Sequence, residues 1–84
     1  MIVITSSSKP KAGGIFCAEV AGFQGNLTAR ATVDGVEVPV RLHVEKGVAE
    51  VCVRLDDSTI GKELIIRVSD SKGNDAAFSR LIRK

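Results

Sequence analysis

Residues 67–79, RVSDSKGNDAAFS, gather Asp70, Asn74 and Asp75 around Gly73. Oxygen-bearing side chains at this density could hold a hard cation, or they could turn a hairpin. A calcium loop needs oxygen ligands at its first, third and fifth positions and a glycine at the sixth. Counted from Asp70, the third position is Lys72, the glycine falls fourth, and no glutamate closes the loop. An ammonium in a ligand position opposes a cation. A turn accounts for the same residues without difficulty: Gly73 and Asn74 tolerate positive φ, Asp70 and Ser71 bond to nearby backbone, and apolar runs flank them. The stretch reads as a hairpin turn, and neither a metal nor a cofactor is expected there.

The remaining reactive side chains are few. Cys17 and Cys52 are the two cysteines and His43 the one histidine. Cys17 alternates with Glu19, and Cys52 with Glu50 and Arg54, which puts both sulfurs on a solvent-facing side. With no secretory signal, free thiols are expected, and a cross-strand disulfide is the alternative if the strand registers agree. A metal centre needs three or four ligands, and His43 has no second histidine or cysteine at ligand spacing, so it reads as a solvated strand residue. No Ser–His–Asp or Cys–His arrangement can be assembled from segments this scattered. Gly13–Gly14 lack the lysine and helix of a phosphate loop. Asn26-Leu27-Thr28 matches a glycosylation acceptor, which matters only in a secreted eukaryotic chain.

These residues sit on a short chain. Eighty-four residues make one domain, 1–84, near the low end of what folds unaided. The chain is 44% hydrophobic with little proline, which excludes general disorder. Its apolar residues are mostly Val, Ile, Leu and Ala, and branched side chains suit a pleated sheet better than a helix. A net charge of +2 is too small for a nucleic-acid surface. With three Phe, no Tyr and no Trp, the chain also lacks the stacking platforms of single-strand and sugar binders. The opening MIVITSSSKPKAGG has a four-residue apolar run with lysine after it, so neither a secretory signal nor a membrane anchor is expected. The basic ends, SKPK and RLIRK, serve solubility.

Period-2 alternation dominates the chain. It predicts seven strands near 2–5, 14–21, 27–33, 36–45, 48–55, 63–69 and 76–82. In 36–45, Val36, Val38, Val40, Leu42 and Val44 share one face, and Pro39 marks an edge or a bulge. Val38, Val40, Val51, Val53, Leu64, Ile66 and Val68 are expected in the core, with Arg41 and Arg67 outside. In 76–82, Phe78 and Leu81 differ in parity, which a bulge near Ser79–Arg80 would reconcile. The one helical candidate is a single turn in DDSTIG, capped by Asp57 or Ser58. Seven short strands with regular turns imply an all-β sandwich or small barrel.

The segment LDDSTIGKELIIRVSDSKGNDAAFS resembles the last three strands of bacterial and phage immunoglobulin-like domains: a strand ending in Leu, a loop, and a Gly-led strand running into a D-x-x-G-N hairpin. The likeness covers about 25 residues, 55–79, and the rest only by strand count. The buried Trp, corner Tyr and cysteine pairing of antibody domains are missing. The resemblance implies an immunoglobulin-like sandwich in which Cys17 and Cys52 lie on the second and fifth strands, neighbours in one sheet. It also implies that three loops meet at one end, which makes Phe23, Gln24, Lys46, Ser71, Lys72 and Asn74 the candidate binding residues. Phe23, between two glycines, is either an exposed anchor or a plug for the end of the core. The function implied is non-enzymatic: an assembly module, with a phage virion (capsid decoration or tail) as the setting. The alternative is an adhesion or recognition module from a bacterial surface protein. The expected partner is a protein in a larger assembly, not nucleic acid or membrane, and a homo-oligomer is compatible with this reading.

Overall fold

Alternation of apolar and polar side chains folds the chain into two facing four-stranded antiparallel sheets, seen in a computed structural model that describes residues 1–6 and 8–84. The strands are β1 (Val3–Thr5), β2 (Ile15–Ala21), β3 (Leu27–Val33), β4 (Val36–Val38), β5 (Arg41–Glu45), β6 (Val48–Arg54), β7 (Glu63–Asp70) and β8 (Asp75–Leu81). One sheet has the order β1-β2-β6-β5 and the other β4-β3-β7-β8. The core between them is aliphatic: Ala18, Val20, Ala49, Val51, Val53 and Leu55 from the first sheet face Leu27, Ala31, Val33, Leu64, Ile66 and Val68 from the second. Phe16 on β2 and Phe78 on β8 join the sheets where a Trp is absent, their rings 5.9 Å apart between centroids.

The segment 36–45 is two strands, not the single one expected. Pro39 has no N–H for the ladder and a fixed φ, so pairing stops there. The chain then passes from β4 in one sheet to β5 in the other. This makes eight strands. It also leaves Val38 and Val40 half-buried rather than buried, and Val36 and Val44 exposed, because β4 and β5 each lie at a sheet margin. Val51, Val53, Leu64, Ile66 and Val68 are buried as expected, and Arg41 and Arg67 are exposed.

β8 carries no bulge. Its register against β7 is unbroken from Ser69↔Asp75 to Glu63↔Leu81. The inward side is Phe78, then Arg80, then Ile82, and Leu81 points outward at 58% exposure. Arg80 reconciles the parity: its stem follows the inner side and its guanidinium lies 4.2 Å from the centre of the Phe78 ring. The turn at Asp57–Thr59 is 3₁₀ and is capped by Asp56, whose carboxylate accepts from the Ser58 N–H, rather than by Asp57 or Ser58. Beyond β1 the chain crosses to the second sheet, where Lys11 bridges Arg83 in parallel and Pro10 is buried.

The register of β8 can be tested by truncation. Ile82→Ala should cost about 2–5 kcal/mol in denaturant unfolding through lost burial and a cavity. Leu81→Ala should stay within about 0.5 kcal/mol of the parent. The reverse order of cost would mean that β8 bulges.

Candidate functional site

The topology carries three loops to one end of the sandwich. β2 finishes beside the start of β6, and β7 ends at Asp70 opposite Leu27, where β3 begins. Residues 22–26, 46–47 and 71–74 therefore share that end. Asp70 organises two of the loops. Its carboxylate accepts hydrogen bonds from the backbone N–H groups of Gln24 (2.9 Å), Lys72 (2.9 Å) and Asn74 (2.9 Å) and from the Asn74 side-chain amide (2.9 Å). Ser71 adds a second tie: its hydroxyl donates to the Gln24 carbonyl (3.3 Å) and accepts from the Asn26 N–H (3.2 Å). Gly25, at φ +77, is the counterpart of Ser71, since a Cβ there would collide with the Ser71 hydroxyl.

Desolvation at this junction pushes the Asp70 carboxyl up, but the bonds from Asn74, Gln24 and Lys72 outweigh it and hold the group at about 2, below its ordinary 3.8. Both carboxylate oxygens already accept N–H donors, so the lone pairs a cation would need are engaged. The stretch 67–79 is a hairpin whose turn spans residues 71–74. Gly73 is the residue there with positive φ, and Asn74 is not.

Of the six candidate binding residues, Gln24, Ser71, Lys72 and Asn74 are drawn together around Asp70. Lys46 stands at the tip of the β5–β6 hairpin, at the same end, with φ 51. Phe23 is half-buried and packs on the core, so it closes that end. The sequence reading missed Asp70 itself as the organiser. Its carboxylate looked local to the turn, and nothing in the spacing signals a bond to Gln24, 46 positions away.

The outer face of β1-β2-β6-β5 holds the second feature. Cys17 and Cys52 pair directly across β2 and β6, with Cα atoms 4.1 Å apart, and form a disulfide. This corrects the expectation of free thiols. Parity had placed both sulfurs outside, as found, but it does not supply the register that sets them opposite one another. In the next rung Glu19 faces Glu50, and His43 on β5 faces Glu50 from the other side. His43 Nε2 lies 3.5 Å from the Glu45 carboxylate. The ligand atoms of Cys17, Cys52 and Glu50 lie within 4.8 Å of one another, but sulfurs bonded to each other are not the thiolates a metal binds. On the opposite sheet Arg30 and Arg67 pair directly across β3 and β7 over a shallow depression that also takes in Ser69 and Asp75.

No protein-family model matches the chain, and no curated protein matches it. Among solved structures, the M1 domain from titin is similar: the two superpose with a TM-score of 0.66 over 98% of this chain and 92% of that one, at 11% sequence identity. Likeness at that identity speaks to fold, and the fold is an immunoglobulin-like β-sandwich.

Two outcomes follow from this geometry. The stabilisation from Asp70 is full above its ordinary 3.8 and is lost as pH falls toward 2. The melting temperature of the parent should therefore drop more steeply between those values than that of Asp70→Asn, and parallel profiles would contradict the network. Opening the disulfide, which closes a separation of 35 residues, should remove about 3–4 kcal/mol in denaturant unfolding. The reduced chain should keep its β-sheet circular dichroism, because the bond lies outside the core.

Proposed function

We propose that this chain is a non-enzymatic structural module that joins or decorates a larger protein assembly. Its contact surface is the loop end formed by Gln24, Lys46, Ser71, Lys72 and Asn74, beneath which Phe23 closes the core. The observation that carries this reading is the Asp70–Ser71 network, which fixes two exposed loops in the free protein. A surface ordered before its partner arrives avoids much of the entropy cost of ordering loops on binding.

The setting we favour is a phage virion, as a capsid decoration or tail component. Its support is the resemblance of residues 55–79 to phage and bacterial immunoglobulin-like domains. A recognition module of a bacterial surface protein uses the same loop end, and the identity of the cross-linked partner separates the two.

A photo-cross-linking amino acid placed at Gln24 or Lys72, in protein expressed alongside its natural assembly, should give one discrete protein adduct. The same probe at Arg54, on the outer sheet face, should not. Adducts of equal yield at all three positions, or at Arg54 alone, would move the contact away from the loops.

A further inference from the structure

Four strands form the margins of the two sheets: β1 and β5 in one, β4 and β8 in the other. A free margin is a row of unpaired N–H and C=O groups that templates another strand unless something blunts it. Three of these margins are blunted. β1 and β4 have three residues each, and β4 runs into Pro39. β8 has seven residues, but Arg80 projects on its inner side over the Phe78 ring, where an added strand would bury the guanidinium. Just past the end of β8, Arg83 already exchanges backbone bonds with Pro10 and Ala12.

β5 has no such protection. Its five residues, Arg41-Leu42-His43-Val44-Glu45, include no proline and no inward charge. Leu42 and Val44 are the inward side chains, opposite the buried Val51 and Ala49, and Val44 remains 49% exposed because no strand lies beyond it.

We propose that β5 pairs antiparallel with β5 of a second copy about a two-fold axis at His43, joining two four-stranded sheets into one of eight. The sequence is complementary to itself in that register. Arg41 meets Glu45 of the partner subunit, Glu45 meets Arg41 of the partner subunit, and each Leu42 meets a Val44. The backbone phase agrees. The 4.1 Å Cα separation of Cys17 and Cys52 marks a narrow, non-hydrogen-bonded pair, so the N–H and C=O of Cys52 turn toward Arg41 on β5. By alternation the backbone groups of Arg41, His43 and Glu45 face β6, and those of Leu42 and Val44 face outward. A two-fold axis at His43 needs outward groups at those two positions: each Leu42 exchanges two bonds with a Val44, and the Arg–Glu pairs fall at the narrow rungs, where cross-strand side chains come closest. No other margin offers this. The same operation on β8 about Phe78 would set Asp75 against Leu81 and Ala76 against Arg80.

Five residues a side bury less than a stable interface needs, so the dimer is a weak one, with a dissociation constant on the order of 0.1 mM. Analytical ultracentrifugation from about 10 µM to about 1 mM should show a monomer–dimer equilibrium. Arg41→Glu and Glu45→Arg should each be monomeric throughout, because each sets two like-charge pairs on the interface, and the double variant should regain the dimer. Val44→Lys, an inward charge of the kind β8 carries, should also abolish it. Should a charge variant lose its fold, concentration-dependent amide shifts of the parent decide the matter: shifts confined to residues 40–46 support the pairing. A parent that stays monomeric at the top concentration overturns it. So does a dimer indifferent to Arg41→Glu, or shifts centred on β8 or on the 71–74 turn.

Discussion

The antiparallel register of β2 against β6 sets Phe16, Ala18 and Val20 opposite Val53, Val51 and Ala49 on the inner side, and Cys17 and Glu19 opposite Cys52 and Glu50 on the outer side. Side chains alternate with a period of two, so a slip of β6 by one residue would turn Ala49, Val51 and Val53 to water and drive Glu50, Cys52 and Arg54 inward. The core, the disulfide and the polar outer face are three consequences of one registration. The disulfide does not create it. A covalent bond outside the core can hold a pairing that the inner face already specifies, and it acts mainly on the unfolded chain.

Alternation in the sequence was enough to place most strands and most of the core, because burial on one face of a sheet leaves a direct imprint. The failures have local causes. At Pro39 the apolar alternation continues from Val36 to Val44 while the ladder cannot, and a proline inside a periodic run marks an edge or a bulge without revealing that the chain changes sheet there. In β8 the pattern looked broken because Arg80 occupies an inward position, where its stem is apolar and its head rides on Phe78. The cysteines were placed on the correct face, but their chemical state depends on which residue of β2 meets which residue of β6. That is information between strands rather than within one.

The loop end was less legible still. The turn chemistry of Asp70-Ser71-Lys72-Gly73-Asn74 was recognisable as local structure. The bonds that give the end its order run to Gln24 and Asn26, and only the fold brings those residues near. The same carboxylate that suggested a cation site is the acceptor that ties the loops. Gly25 opposite Ser71 shows the fit from the other side, as a residue whose missing side chain makes room for the bond. A sandwich with an aliphatic core has its polar order at the surface, at the loop end and along its margins.

The register of β2 on β6 is open to one direct measurement. In antiparallel sheets the α-protons of non-hydrogen-bonded partners lie closest, so the nuclear Overhauser spectrum of the folded protein should contain cross-peaks between the α-protons of Ile15 and Arg54, Cys17 and Cys52, and Glu19 and Glu50. The account predicts the same three peaks after the disulfide is reduced. Peaks displaced by one residue along β6, or the loss of all three on reduction, would contradict it.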